Sequence, residues 1–316
     1  MTAGETWQQR VDDYLAWRGP QVLGESLQRW VSLAEDVWLL EGVSGARVVA
    51  KHQLYGVFTR GAAFDLLDVE MQVLQLLNGL PVPRVKAVDR GDQFIFFSYC
   101  GAATLEEAGR GDSAALAALA QQAAAGLLAI EACLAGHQAE LAGRIAPEAT
   151  AKTLEGRWQT AGETARLGLA ALPDGAAAAS LLEELLERLG RRPPRLGCAD
   201  YNGRNIVVDD NGNTTFIEFA KIGWDWTERR LLQYTTVVDG GRDWLCPWED
   251  DLVAAYGGAG GDAAALEGHR LIFHLNALAR SAGTQRRRIE VGLGASVEPV
   301  IHRAVERLRH GRRLNT

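Results

Sequence analysis

An aspartate and an asparagine set five residues apart, directly ahead of a β-branched strand, constrain this chain more than any other feature. The stretch runs from Ala199 to Asp209: Asp200, then Asn205, then Ile206-Val207-Val208. Nine residues after Asn205 a second apolar strand begins at Thr214, and it carries one carboxylate, Glu218, between Ile217 and Phe219. Turn chemistry alone accounts for Asp, Asn and Gly in such a place, and Asp209-Asp210-Asn211-Gly212 reads as a hairpin loop. The same order of groups also has a chemical meaning. Moving a phosphoryl group from a nucleotide takes a carboxylate to orient a hydroxyl and accept its proton, plus oxygen ligands for the magnesium that neutralises the phosphates. A loop Asp, an Asn five residues on and a hairpin ending in an acid supply those parts in order.

The N-terminal third adds matching parts. Val37 to Val43, a Ser44-Gly45 turn and Arg47-Val48-Val49-Ala50-Lys51 read as a β-hairpin ending in a lysine. A lysine at a strand end is usually solvated. Here a helical segment follows over 64–77, and Glu70, Leu74 and Leu77 share one face through spacings of four and three. That face turns Glu70 toward the sheet, where it pairs with Lys51 and fixes the ammonium for the phosphates. Pro81-Val82-Pro83 ends the helix, and Gln93 to Tyr99 reads as a further strand. Phe97 to Gly101 leads out of that strand as an expected hinge, with Ser98, Tyr99 and Cys100 as the candidates to meet a nucleotide.

In this order the motifs resemble those of the aminoglycoside phosphotransferase family, the small-molecule branch of the protein-kinase-like fold. Val49-Ala50-Lys51 resembles the strand-lysine motif, and Leu80-Pro81-Val82-Pro83 is similar to the family's helix exit. Gly197-Cys198-Ala199-Asp200 through Val208 resembles the catalytic loop, and Phe216-Ile217-Glu218-Phe219 the metal-binding motif. The resemblance implies an α+β, bilobal protein-kinase-like fold, with a small antiparallel β lobe carrying one helix and a larger, mainly helical lobe. It implies a nucleotide-binding lobe over 1–98 with leading helices, a hinge at 99–101 and a helical lobe over 102–316. The expected activity moves the γ-phosphate of ATP or GTP to a hydroxyl of an antibiotic, amino sugar or biosynthetic metabolite. Asp200 is then the base, Lys51 and Glu70 bind the nucleotide, and Asn205 and Glu218 hold Mg2+. The alternative is a degenerate kinase-like protein that binds a nucleotide or metabolite without transferring phosphate.

Four departures bear on that choice. Cys198 stands where the family has histidine or the glycine after it, so the brace of the catalytic loop must differ. Glu218 replaces an aspartate, and the extra methylene moves the carboxylate by roughly 1 Å at a metal that is strict about geometry. Arg230 stands where the family commonly has a buttressing aspartate. The expected loop Ser32–Asp36 between the first two strands lacks glycine and carries Glu35 and Asp36, which would repel phosphates unless turned away.

The acceptor is expected in the helical lobe after the hairpin. Trp224, Asp225, Trp226, Glu228, Trp244 and Trp248 are the candidates, because aromatic faces and carboxylates both attract amines. Each taken singly also fits a core anchor or a helix-terminal charge. A net charge of −7 argues against a nucleic-acid partner, and the arginine runs 286–288 and 303–313 read as solvated helix surface. Four scattered cysteines form no Cys-x-x-Cys pair and suit a reducing, cytoplasmic setting. The alanine-rich stretch 114–135 is broken by Gln121, Gln122 and Glu131 and reads as a buried central helix rather than a membrane span. Residues up to about 30 read as one or two helices anchored by Trp7, Tyr14, Trp17 and Trp30. The assembly is a monomer or homodimer.

Overall fold

The computed structural model describes residues 6–53, 56–58, 62–108, 113–172, 175–233 and 249–282. Thr6 caps the first helix, α1 (Trp7–Leu23), by accepting a hydrogen bond from the Gln9 amide, and Gly24 ends it in the left-handed conformation at φ 74°. Three strands follow, β1 (Leu27–Ala34), β2 (Val37–Gly42) and β3 (Arg47–His52). Trp30 therefore lies on β1, not in a helix: it pairs with Leu40, and its indole N–H donates to Asp12. Trp17 is 59% exposed and meets the edge of Tyr14 and the Arg18 guanidinium, each at 6.0 Å, whereas Tyr14 stacks on Phe94 at 4.3 Å. Ser32 and Ala34 also belong to β1, which shrinks the expected loop to a tight turn at Glu35-Asp36. Asp36 adopts φ 57° and sets its carboxylate 3.9 Å from His52.

After the short hairpin β4 (Gly56–Phe58) and β5 (Ala62–Phe64) comes α2 (Leu66–Leu76). Phe64 is in a strand because Asp65 caps the helix one residue later, its side chain accepting from the Asp68 amide. Strands β6 (Val85–Asp89) and β7 (Phe94–Ser98) complete a five-stranded antiparallel sheet in the order β1-β2-β3-β7-β6. Phe94 and Phe96 join Val11, Leu15, Trp38 and Leu40 in a cluster beneath α1, while Ile95 and Phe97 join the main core. The sheet is thus covered on both faces, which explains the unbroken apolar run of β7.

After β7, β8 (Ala103–Thr104) and α3 (Leu105–Ala108) lead into α4 (Ser113–Gly136). Among the described residues α4 alone is long and apolar enough to cross a bilayer. It is instead the central helix of the lobe: Leu119, Ala120, Ala123, Ala124, Leu127, Ile130 and Leu134 are all buried. The helices α5 (Gln138–Leu141), α6 (Ala151–Ala170) and α7 (Ala179–Gly190) follow, and then four strands, β9 (Arg195–Cys198), β10 (Ile206–Val208), β11 (Thr214–Phe216) and β12 (Ile222–Asp225). β10 and β11 form the expected hairpin, and β8 pairs on the other side of β10. β9 pairs antiparallel with β12, so the strands entering and leaving the site lie side by side. Then α8 (Thr227–Gln233), α9 (Glu249–Gly258) and α10 (Ala263–Ala282) close the described chain, with α6, α7 and α10 sharing a second leucine-rich core.

Candidate active site

The helix predicted to turn Glu70 toward the sheet does so. Leu67, Glu70, Val73 and Leu74 form the buried face of α2, and Glu70 Oε2 lies 3.0 Å from Lys51 Nζ. Its other oxygen accepts from the Phe219 amide at 3.1 Å, joining the sheet lobe to the metal-motif loop. A second carboxylate, Glu218, meets Lys51 at 2.8 Å. Burial works against the ammonium, but Glu70 and then Glu218 outweigh it and hold Lys51 above the ordinary lysine range. Burial likewise pushes the Glu70 carboxyl upward, against the pull of Lys51 and the Phe219 amide.

Asp200 sits on the loop after β9 with an exposed side chain. Its Oδ1 accepts from Asn202 Nδ2 at 3.1 Å. Asn205 uses its amide nitrogen on the Asp200 main-chain carbonyl at 2.8 Å, which leaves Oδ1 as the free end of the side chain. The Asn205 carbonyl accepts from the Ile217 amide at 2.9 Å, so the two loops are stitched by backbone as well.

Cys198 answers the question its sequence position raises. Its thiol donates to the Glu218 carbonyl at 3.0 Å and bridges the loop of Asp200 to the turn at Glu218. Full burial pushes the thiol up to about 12, so it remains S–H and a donor. Glu218 is held at φ 67°, a left-handed conformation that costs a non-glycine residue roughly 1–3 kcal/mol. The thiol, the Ile217 amide and the Phe219 amide hold this turn in place.

Arg230 also departs from the aspartate pattern by a definite device. Its guanidinium is 1% exposed, is paired with the fully buried Glu131 of α4, and donates to the carbonyls of Arg195 at 2.6 Å and Gly223 at 2.7 Å. One side chain therefore ties β9 to β12. Gly197 allows it: a Cβ there would stand 2.5 Å from the guanidinium. Thr227 donates to the second Glu131 oxygen, which completes a buried network. Neither Cys198 nor Glu131 was identifiable as a brace from spacing, since each acts on a partner far along the chain.

The predicted nucleotide-binding residues Ser98, Tyr99 and Cys100 run from the end of β7 into its connection with β8. Ser98 Oγ accepts from the Arg84 amide at 2.9 Å, and the Cys100 thiol donates to the Ser98 carbonyl at 3.3 Å. The Arg47 guanidinium lies over the Tyr99 ring, 4.7 Å from its centre. Gly101, at φ 144°, presses on β10 so closely that a Cβ would fall 2.2 Å from the Val208 carbonyl oxygen. A cavity of about 520 Å³ opens here, lined by Arg47, Tyr99, Cys100, Asp209, Asp210 and Thr215 among others.

The acceptor candidates divide. Asp225 is buried, paired with Arg157 and Arg229, and caps the Trp226 amide. Trp226 is buried and donates to the Arg192 carbonyl, and Glu228 is buried against Arg192 and Tyr256. These three are committed to the interior of the lobe. Trp224 is half-buried against the main core. Trp244 and Trp248 lie outside the described residues, as do both arginine runs.

Trp226 also meets His269, which stands 5.5 Å from Trp158 and 5.6 Å from Trp226 between ring centres. Burial first, then Arg229 and Arg192, lower this imidazole to about 3. Below its ordinary value near 6.5 the unfolded chain gains a proton that the folded one refuses, so stability falls as pH drops from about 6.5 toward 3. The expected loss at His269 between pH 8 and pH 5 is about 2 kcal/mol. Urea melts of the protein and of His269→Phe at both pH values check this, and equal pH dependence in the two would refute it.

Among the described residues no group of three His, Cys, Asp or Glu gathers as a metal cage. The donor set nonetheless fits magnesium, which takes one or two side-chain oxygens and completes its octahedron with water and phosphate. Asn205 Oδ1 and the part-exposed Glu218 carboxylate are hard oxygen donors of that kind and are the groups that would hold it.

A family model described as the phosphotransferase enzyme family matches residues 30–269. No curated protein matches the sequence. Among solved structures, an aminoglycoside phosphotransferase from Alicyclobacillus acidocaldarius aligns with a TM-score of 0.55 at 11% identity, covering 90% of this chain and 92% of its own. The macrolide 2'-phosphotransferase MphH from Brachybacterium faecium aligns at 0.51 with 16% identity, covering 90% and 97%. The ADP-bound aminoglycoside phosphotransferase APH(2'')-Ib aligns at 0.50 with 12% identity, covering 90% and 96%. At these identities the likeness speaks for the fold.

Proposed function

The chain belongs to the phosphotransferase enzyme family, and from that premise we propose that it moves the γ-phosphate of ATP or GTP to a hydroxyl of a small molecule, an antibiotic, amino sugar or biosynthetic metabolite. The observation that carries this reading is the Lys51–Glu70 ion pair at 3.0 Å, which a strand and a helix build in the interior. Glu70 fixes the ammonium to bind the donor's phosphates. The half-buried Val49, Val207 and Ile217, each one or two residues from Lys51, Asn205 or Glu218, offer apolar surface to the base, and residues 98–100 its hydrogen-bonding edge. Asp200, exposed and unpaired with any cation among the described residues, orients the acceptor hydroxyl and takes its proton as oxygen bonds to the γ-phosphorus and the β–γ bridging bond breaks. Asn205 Oδ1 and Glu218 would hold Mg2+, whose charge offsets that of the phosphates. An ATP- and GTP-consumption screen against amines, sugars and antibiotics tests the proposal. Consumption that no acceptor stimulates, together with nucleotide binding, would favour the degenerate alternative.

Glu218 is the observation on which that alternative turns. Its own carbonyl and the amides on either side are all pinned, so the backbone cannot follow a shortened side chain. In a site adapted to glutamate, Glu218→Asp withdraws the carboxylate by about 1 Å, and the expected loss is roughly 100-fold in kcat. Steady-state rates at rising Mg2+ measure it. A gain in rate would mark the glutamate as a lesion in a decayed site.

A further inference from the structure

Lys51 touches two carboxylates, and they are not equivalent. Glu70 is 2% exposed, and its second oxygen is taken by the Phe219 amide. Glu218 keeps 34% of its side chain exposed, and Lys51 is the cation recorded against it among the described residues. Its backbone is fixed, so its carboxylate answers only to side-chain rotation and to what stands in front of it. The first contact is enclosed, and the second faces solvent.

We propose that Lys51 controls metal entry: its ammonium and a divalent cation compete for Glu218 Oε1, and donor phosphates relieve the competition by drawing the ammonium away. This rests on the phosphotransferase reading. A divalent ion about 2.1 Å from that oxygen and an ammonium at hydrogen-bond distance from it would stand within about 5 Å of each other, where like charges repel even in a polarisable site. The cation is therefore held weakly alone and firmly with nucleotide. By linkage, nucleotide and cation strengthen each other by the same factor.

The probe is Mn2+, titrated by electron paramagnetic resonance with and without ADP. The wild-type protein binds Mn2+ alone weakly and tightens on it when ADP is added. Lys51→Met should bind Mn2+ alone about ten-fold more tightly, within the roughly 5- to 150-fold span of coupled sites. Because that change strands the buried Glu70, Lys51→Met/Glu70→Gln is measured beside it. The double variant keeps the local charge balance of the wild type, so the same gain in it cannot come from the general field. Adding Glu218→Gln should abolish the gain. If Mn2+ alone binds the charge-balanced variant no better than wild type, or if the gain survives Glu218→Gln, the competition is refuted while the phosphotransferase reading stands. If wild type takes no Mn2+ even with ADP, that reading falls and the competition with it.

Discussion

Asp200→Asn yields a folded, nucleotide-binding protein whose phosphoryl transfer is lower by about 100- to 10,000-fold. The loop survives because its braces do not use the Asp200 carboxylate alone. Asn205 holds the main-chain carbonyl of Asp200, the Cys198 thiol holds Glu218, and the Ile217 amide holds Asn205. The one side-chain contact, from Asn202 to Oδ1, is one that an Asn oxygen can still accept. What disappears is the basicity that takes the acceptor's proton. Single-turnover rates with the best acceptor from the screen, alongside ADP affinity, separate chemistry from binding. Near-normal turnover would remove Asp200 from the role of base.

Arg230→Met should destabilise the protein by about 3–5 kcal/mol, the range for stripping one partner from a buried ion pair. Glu131 has no route to solvent, and without the guanidinium its burial drives the carboxyl further above the usual range. Arg230→Met/Glu131→Leu should recover most of the loss, since an apolar pair of similar volume is often neutral. The part not recovered is the cost of the Arg195 and Gly223 carbonyls left without donors. Denaturant melts of the two variants measure both quantities. If the double variant is no more stable than the single one, the guanidinium serves mainly the strand carbonyls rather than Glu131.

The parts of this site that sequence made legible are those whose partners are local or periodic. Glu70 could be oriented because α2 buries every third or fourth residue, and Lys51 because a hairpin of β-branched residues leads to it. Asp200 and Asn205 lie on one loop, where spacing is geometry. Cys198 was expected to alter the brace, but which carbonyl it reaches depends on a turn twenty residues on with a left-handed glutamate at its head. Arg230 was visible as a departure only. Its charge is matched from α4, 99 residues away, and no periodicity links the two. Trp30 lies on a strand rather than in the expected helix because Gly24 ends α1 and strand pairing with Leu40 takes over. The acceptor candidates at 225, 226 and 228 had suitable chemistry, yet their side chains turn into the lobe.

The contact of Gly101 with β10 has a kinematic consequence. From Gly101 onward the linker is fastened to the floor of the cleft, first by that close approach and then by the pairing of Ala103 and Thr104 with Val207 and Val208. The link left free between the two sheets is thereby confined to Tyr99 and Cys100, since Ser98 is still paired with Val48 at the end of β7. The two lobes are also fastened across the cleft, by the Phe219 amide donating to Glu70 and the Phe216 amide donating to the Pro81 carbonyl. A swing of the sheet about that short link would have to part those two bonds, as a door opens only once its latch is drawn.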